Sequence, residues 1–204
     1  MPDTDLCRHA PVTLRNRDAI LAVLQAELPQ AGLLLEVASG TGEHAAFMAP
    51  QLPRTLRWQP SDAEASHLAG IDAHARAAAA PNIEAAILLN AASAVWPITR
   101  ADAIFAANVV HIAPWAVAEG LIAGAGRLLG KGAPVILYGP FKRDGRHTAP
   151  SNAAFDASLR AQDASWGVRC LDSELMPLAE RAGLVLATVH DMPANNLAVV
   201  WRKV

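Results

Sequence analysis

The run Leu33-Leu34-Leu35-Glu36-Val37-Ala38-Ser39-Gly40-Thr41-Gly42 decides the fold. An apolar stretch of strand type ends in an acidic residue, passes through small residues and opens what reads as a helix. A buried strand, a glycine-bearing turn and a helix N-terminus in that order build a nucleotide-cofactor site. Two phosphate-binding versions of the turn fit badly. A dinucleotide turn wants GxGxxG so that backbone can approach a pyrophosphate. Here those positions hold Ala38, Gly40 and Glu43, and a glutamate at the helix start repels a pyrophosphate. A P-loop needs GxxxxGK[ST], and no lysine is present in this turn.

The reading left is an adenosine cofactor without phosphate, S-adenosylmethionine (SAM), with S-adenosylhomocysteine (SAH) as its product. Glu36 is expected to accept a hydrogen bond from the cofactor's amino group, directly or through water. Ala38 and Ser39 form the turn, and Gly40 and Gly42 let the backbone lie close to the cofactor. The stretch resembles the first motif of class I methyltransferases.

Working outward, apolar periodicity and turn residues predict helices over 13–28, 42–51, 63–80, 115–129, near 152–163 and over 173–182. Strands are expected at 33–37, 55–59, 83–89, 101–107, 134–138, 184–189 and 197–201, with a turn at 192–196 that allows a closing antiparallel hairpin. The alternation predicts one α/β domain over 1–204: a doubly wound, mostly parallel seven-stranded Rossmann-like sheet with helices on both faces. Residues 139–167 are too long for a plain connection and mark a lid or acceptor-binding segment, or else a surface insertion.

Composition limits the function. The 204 residues are 52% hydrophobic and 18% charged with a net charge of -2, which fits a globular chain and gives no electrostatic footprint for DNA. No apolar run reaches the length of a membrane span. Cys7 and Cys170 are far apart and form no ligand cluster, and His44, His67, His74, His111, His147 and His190 show no metal-ligand spacing. We therefore expect a cytoplasmic protein, no metal, two free thiols, a small-molecule substrate and an unreadable oligomeric state.

In open α/β sheets ligands collect at the carboxyl ends of strands. Asp62, after the second strand, can hold ribose hydroxyls or cap the next helix. Asn90, after the third, can read the adenine edge or form a turn. His111, after the fourth, is the candidate general base for a hydroxyl or thiol acceptor, or a packing residue. Asn108 can orient an acceptor and touch the cofactor, or fix the turn. Tyr138 ends the fifth strand with its hydroxyl in the site or buried in the core. Arg15 and Asn16 can cover the cofactor carboxylate or face solvent. Trp115 and Phe141 line an acceptor pocket or pack the core. Lys142, Arg143, Arg146 and His147 form a basic cluster that holds an acidic substrate or is simply solvated. Asn195 and Asn196 suit a turn.

The block Asn108-Val109-Val110-His111-Ile112-Ala113-Pro114-Trp115 makes the resemblance specific. It is similar to that of the methyltransferase-like protein 26 type. Trp58-Gln59-Pro60-Ser61-Asp62, Tyr138-Gly139-Pro140-Phe141, Ser151-Asn152, Phe155-Asp156, Trp166-Gly167, Met192-Pro193-Ala194-Asn195-Asn196 and Arg15-Asn16-Arg17-Asp18 agree with it. The resemblance implies a class I methyltransferase fold with a SAM site and does not imply a substrate. One departure is visible: the family pattern leads us to expect an aspartate where this chain has Asn90. The expected activity is methyl transfer to an oxygen, nitrogen or sulfur of a small molecule, which needs alignment and exclusion of water more than covalent help. A cofactor-binding module without turnover, an NAD-linked enzyme and a protein methyltransferase are the alternatives.

Overall fold

The computed structural model describes residues 11–204, so Cys7 lies outside the described residues. In chain order the elements are α1 (Pro11–Glu27), β1 (Gly32–Val37), α2 (Glu43–Met48), β2 (Leu56–Asp62), α3 (Ala65–Ala77), β3 (Ile87–Leu88), β4 (Ala103–Ala107), α4 (Trp115–Leu128), β5 (Pro134–Gly139), α5 (Pro150–Gln162), α6 (Met176–Arg181), β6 (Leu184–Met192) and β7 (Asn196–Lys203). Seven strands form one sheet in the order β3-β2-β1-β4-β5-β7-β6. All pairs are parallel except β5–β7 and β6–β7. The predicted Rossmann-like class I methyltransferase sheet with an antiparallel last strand is therefore the fold.

The sheet is covered on both faces, so its strands read as continuous apolar runs. Successive side chains point to opposite faces. Leu34, Phe105, Ile136 and Val200 pack with Ile20, Leu24 and Met48 of α1 and α2. Leu35, Ile104, Leu137 and Val199 pack on the other face with Leu121 and Ile122 of α4 and Ala179 of α6.

Some boundaries differ from expectation. Of the strand expected at 83–89, only Ile87 and Leu88 join β2, while Ile83 makes an isolated bridge to Trp58. Gln59 Nε2 bonds the Ala85 carbonyl, and Asp72 accepts from the Ala86 N–H, so side chains take hydrogen bonds that a longer ladder would use. Thr13, the expected start of the first helix, is already inside α1 and buried. The closing hairpin forms with Ala194 at φ 57° and Asn195 at φ 59° in its turn, the left-handed conformation that asparagine tolerates.

Candidate cofactor and acceptor site

The topology reverses between β1 and β4, and open α/β sheets bind their ligands beyond the carboxyl ends of strands at such a reversal. The turn after β1 passes through three left-handed residues, Ala38 (φ 60°), Gly40 (φ 58°) and Gly42 (φ 85°). The two glycines serve different needs. A Cβ added to Gly42 would lie 2.7 Å from the Ile71 Cα on α3, so that glycine seats the turn against a helix. A Cβ on Gly40 would meet no heavy atom within 4 Å, so that glycine faces open space.

Two carboxylates flank the turn. Glu36 is buried at the end of β1, where its Oε2 accepts from Ser39 Oγ (2.8 Å) and Trp58 Nε1 (3.0 Å). Burial pushes its pKa up to about 7. Ser39 Oγ in turn accepts from the Ser61 N–H at 3.1 Å, tying the β1 turn to β2. Asp62, at the end of β2, accepts from the Gly40 N–H (2.8 Å) on one oxygen, and from the Glu64 N–H (3.0 Å) and His67 Nδ1 (3.1 Å) on the other. It therefore spans two loops and is not the N-cap of α3, a position held by Glu64. Asn90 is exposed and follows Leu89, whose N–H bonds the Asp62 carbonyl at 2.8 Å. Its Oδ1 accepts from the Ala92 N–H at 2.9 Å in a local turn.

Beyond β4 the chain turns at Asn108 (φ 61°), whose N–H bonds the Tyr138 carbonyl and whose carbonyl accepts from His111 and Ile112. His111 does not stand where a general base must. Its side chain is fully buried, and Nδ1 accepts from the Arg169 N–H at 3.1 Å. Nε2, which then carries the proton, has no partner and faces Gly139, where a Cβ would overlap it. Burial, helped by the Arg169 charge, pushes its pKa down to about 3. The ring packs edge-on to Phe141, itself fully buried in the core. Around it Arg169 clamps the 110–113 segment, donating to the Val110 carbonyl (3.0 Å) and the Ala113 carbonyl (2.9 Å). Arg169 also lies over Trp115, which is held away from the cavity described next.

That cavity, of about 760 Å³, lies beyond the ends of β4 and β5. Asn108, Tyr138, Arg15 and Asn16 all line it, so four sequence-predicted residues meet there. Burial pushes the Tyr138 phenol above its usual pKa, partly offset by the neighbouring Asn16 side chain. Asn16 is buried, and its Oδ1 sits 3.0 Å from His44 Nε2. Burial lowers the His44 pKa to about 4, so the neutral ring donates Nε2–H to that oxygen. The Asn16 amide nitrogen Nδ2 is left buried with no partner.

Sequence reasoning assigned no role to the opposite wall. Asn152, Phe155, Leu159 and Gln162 recur along one stripe of α5 and line the cavity with Trp166 and Ile112. Their helical spacing was the available signal. None of the four residues of the basic cluster lines this cavity. Lys142 Nζ pairs with Asp156 at 2.9 Å, His147 lies 3.2 Å from the same carboxylate, and Arg143 pairs with Asp172 at 3.2 Å. Asp156 also accepts from the Val168 N–H (2.8 Å) and Arg160 (3.2 Å), which staples α5 to the chain on either side of it. Segment 139–167 thus supplies a cavity wall held by ion pairs. Asn196 lines the cavity from the hairpin turn, while its Nδ2 bonds the Pro193 carbonyl at 3.0 Å.

A family model described as "Protein of unknown function (DUF938)" matches residues 7–203. The chain belongs to the DUF938 family. Solved structures share its fold. An O-methyltransferase family 2 protein from Planctomyces limnophilus, in complex with apigenin, is 21% identical with a TM-score of 0.79 over 100% of this chain and 62% of its own. CalO1, a methyltransferase in calicheamicin biosynthesis in its SAH-bound form, is 18% identical with a TM-score of 0.72 over 91% of this chain and 54% of its own. The cyclase SpnF is 14% identical with a TM-score of 0.70 over 91% of this chain and 80% of its own. This DUF938 chain thus spans little more than half the length of the two methyltransferases. The likeness establishes a class I SAM-dependent methyltransferase-like fold. Among the described residues no helix is long and apolar enough to cross a membrane.

Proposed function

We propose that this chain is a SAM-dependent methyltransferase acting on a small-molecule acceptor, within a fold shared with O-methyltransferases. The finer likeness of its Asn108–Trp115 block to the methyltransferase-like protein 26 type belongs to the same reading. The observation that carries it is the open space at Gly40, flanked by Glu36 and Asp62 at the ends of β1 and β2, next along the sheet to the β4 and β5 ends that border the cavity.

The residues suit the cofactor. Both bonds to Glu36 fall on Oε2, which leaves Oε1 for the cofactor's amino group. Asp62 suits ribose hydroxyls, and Asn90 keeps its amide nitrogen for the adenine edge. The turn Ala38-Ser39-Gly40-Thr41-Gly42 offers backbone to the cofactor. Asn16 Nδ2, close to the Tyr138 phenol, is a buried donor without a full hydrogen bond, and beside it Arg15 has no ion-pair partner among the described residues, a pair suited to the cofactor carboxylate. When bound, SAM supplies a methyl group already activated by a positive sulfur.

The protein's part is alignment. Asn108 and Tyr138 border the cavity and orient the acceptor for in-line attack, while Phe155, Trp166 and Ile112 exclude water. His111 is a positioning residue that holds the turn after β4. Calorimetry with SAM and SAH tests the reading, and absence of binding by either at high micromolar concentration refutes it. A second reading, a SAM- or SAH-binding module without turnover, draws on the cavity wall's lack of any carboxylate or imidazole among the described residues. Turnover of SAM with any small acceptor excludes it.

A further inference from the structure

The acceptor side of the cavity has a definite chemistry. Phe155 and Ile112 are 37% and 40% exposed, two of the seven exposed large apolar side chains among the described residues, and both border this one space. Apolar surface left open in a concave site is the ordinary mark of an apolar ligand. Trp166 borders the same space, so the wall suits a flat ring.

The second observation is what the wall lacks. Among the described residues lining it there is no Asp, Glu, His, Lys or Cys, and Arg15 is the one charged side chain. The nearby imidazole, His111, spends its lone pair on the Arg169 N–H and sits behind the wall. A protonated amine would find no counter-charge here, whereas an anion would meet no repulsion. Attack by a neutral hydroxyl would leave a proton that nothing among the described residues of the wall accepts.

We propose that the acceptor is an aromatic molecule carrying a thiol or an acidic hydroxyl, which loses its proton to water and enters as its own anion. This rests on the methyltransferase reading above. The acceptor's lone pair forms the new bond to the methyl carbon, the carbon–sulfur bond breaks, and its electron pair stays on sulfur. One positive and one negative charge cancel, giving a neutral methyl thioether or ether and neutral SAH. Tyr138 and Asn108 then serve as hydrogen-bond groups that orient the anion.

The test uses the full chain, SAM and two series of para-substituted thiophenols and phenols of graded acidity, with SAH binding measured by calorimetry beforehand. In kcat/KM against pH, each acceptor is expected to give a curve rising to a plateau, with a midpoint that follows the acceptor's own pKa. Phe155→Ala is expected to raise KM roughly tenfold with SAH affinity unchanged. Trp166→Phe provides a milder variant should the first fail to fold, with a smaller rise in KM. One midpoint common to all acceptors reveals a protein base and overturns the proposal. So does equal KM for aliphatic thiols of matched acidity. SAH binding without turnover of either series overturns the acceptor class and leaves the cofactor site standing, whereas failure of SAH to bind defeats the methyltransferase reading itself.

Discussion

Acidification should weaken this protein through His111, and the size of the effect reports whether that ring can meet a substrate. In the unfolded chain the imidazole titrates near 6.5, but in the fold burial lowers its pKa to about 3. The native state therefore refuses a proton that the unfolded state accepts. A depressed histidine gives stability that is fully present above 6.5 and lost as pH falls toward the folded value, at about 1.4 kcal/mol per pH unit. Over the whole window the loss is on the order of 5 kcal/mol, a large part of a domain's stability. His44, lowered to about 4 by burial, acts in the same direction, and Glu36, raised to about 7, acts in the opposite one. A comparison with His111→Asn cancels both, because neither contacts the substituted site. Asparagine keeps an oxygen for the Arg169 N–H and leaves a small void that costs stability at every pH. Urea unfolding followed by tryptophan fluorescence gives both stabilities. The wild-type advantage over His111→Asn should be about 2 kcal/mol smaller at a pH 1.5 units below 6.5 than at any pH well above it. An advantage constant across that range would mean that native His111 titrates normally. Its ring would then be open to protons, and the base role denied to it here would be restored.

Further outcomes follow from the same geometry. Gly42→Ala forces a left-handed φ on alanine and drives its methyl into the Ile71 backbone, so the melting temperature should fall by an amount equivalent to about 2 kcal/mol or more. Gly40→Ala shares the φ strain but meets open space, so it should cost about 1 kcal/mol while weakening SAH binding in calorimetry by a larger factor than its stability loss explains. Glu36→Gln removes a buried carboxylate whose folded pKa is raised, and whose cost therefore grows as pH climbs from 4.5 to about 7. The variant should gain on wild type by about 1.4 kcal/mol per pH unit across that window in denaturant melts. In Asp156, burial works to raise the pKa, but the Lys142 and Val168 bonds hold it below the usual carboxylate range. Its stabilisation is thus present above that range and lost on acidification. Asp156→Asn should cost about 3 kcal/mol at neutral pH and speed hydrogen exchange in α5 before other elements.

The residues that could be read from the chain are those whose role is local. Leu33–Gly42 carries its own strand, turn and helix start, and the repeat of that unit yields the sheet without any long-range knowledge. The fate of β3 is not local: Gln59 and Asp72 take backbone groups of residues 85 and 86, and neither is near them in sequence. The same holds at the site. Asn108 and Tyr138 were legible because strand ends converge in this architecture, but the orientation of His111 depends on Arg169, 58 residues away, and on the missing Cβ of Gly139. Four basic residues in six positions look like a substrate grip until Asp156 and Asp172 fold back onto three of them. In each case a polar side chain that sequence offers to a ligand is spent on holding loops in place. What the site keeps for a ligand is what remains unspent: Asn16 Nδ2, Arg15, one oxygen of Glu36 and the open side of Gly40. Those four groups include donors, an acceptor and a positive charge suited to an amino acid's two ends. Of these only Asn16 and Arg15 border the cavity, whose opposite wall on α5 carries Phe155 and Leu159 and no charged side chain among the described residues, and under the proposed reading that division separates a cofactor's polar tail from an acceptor's ring.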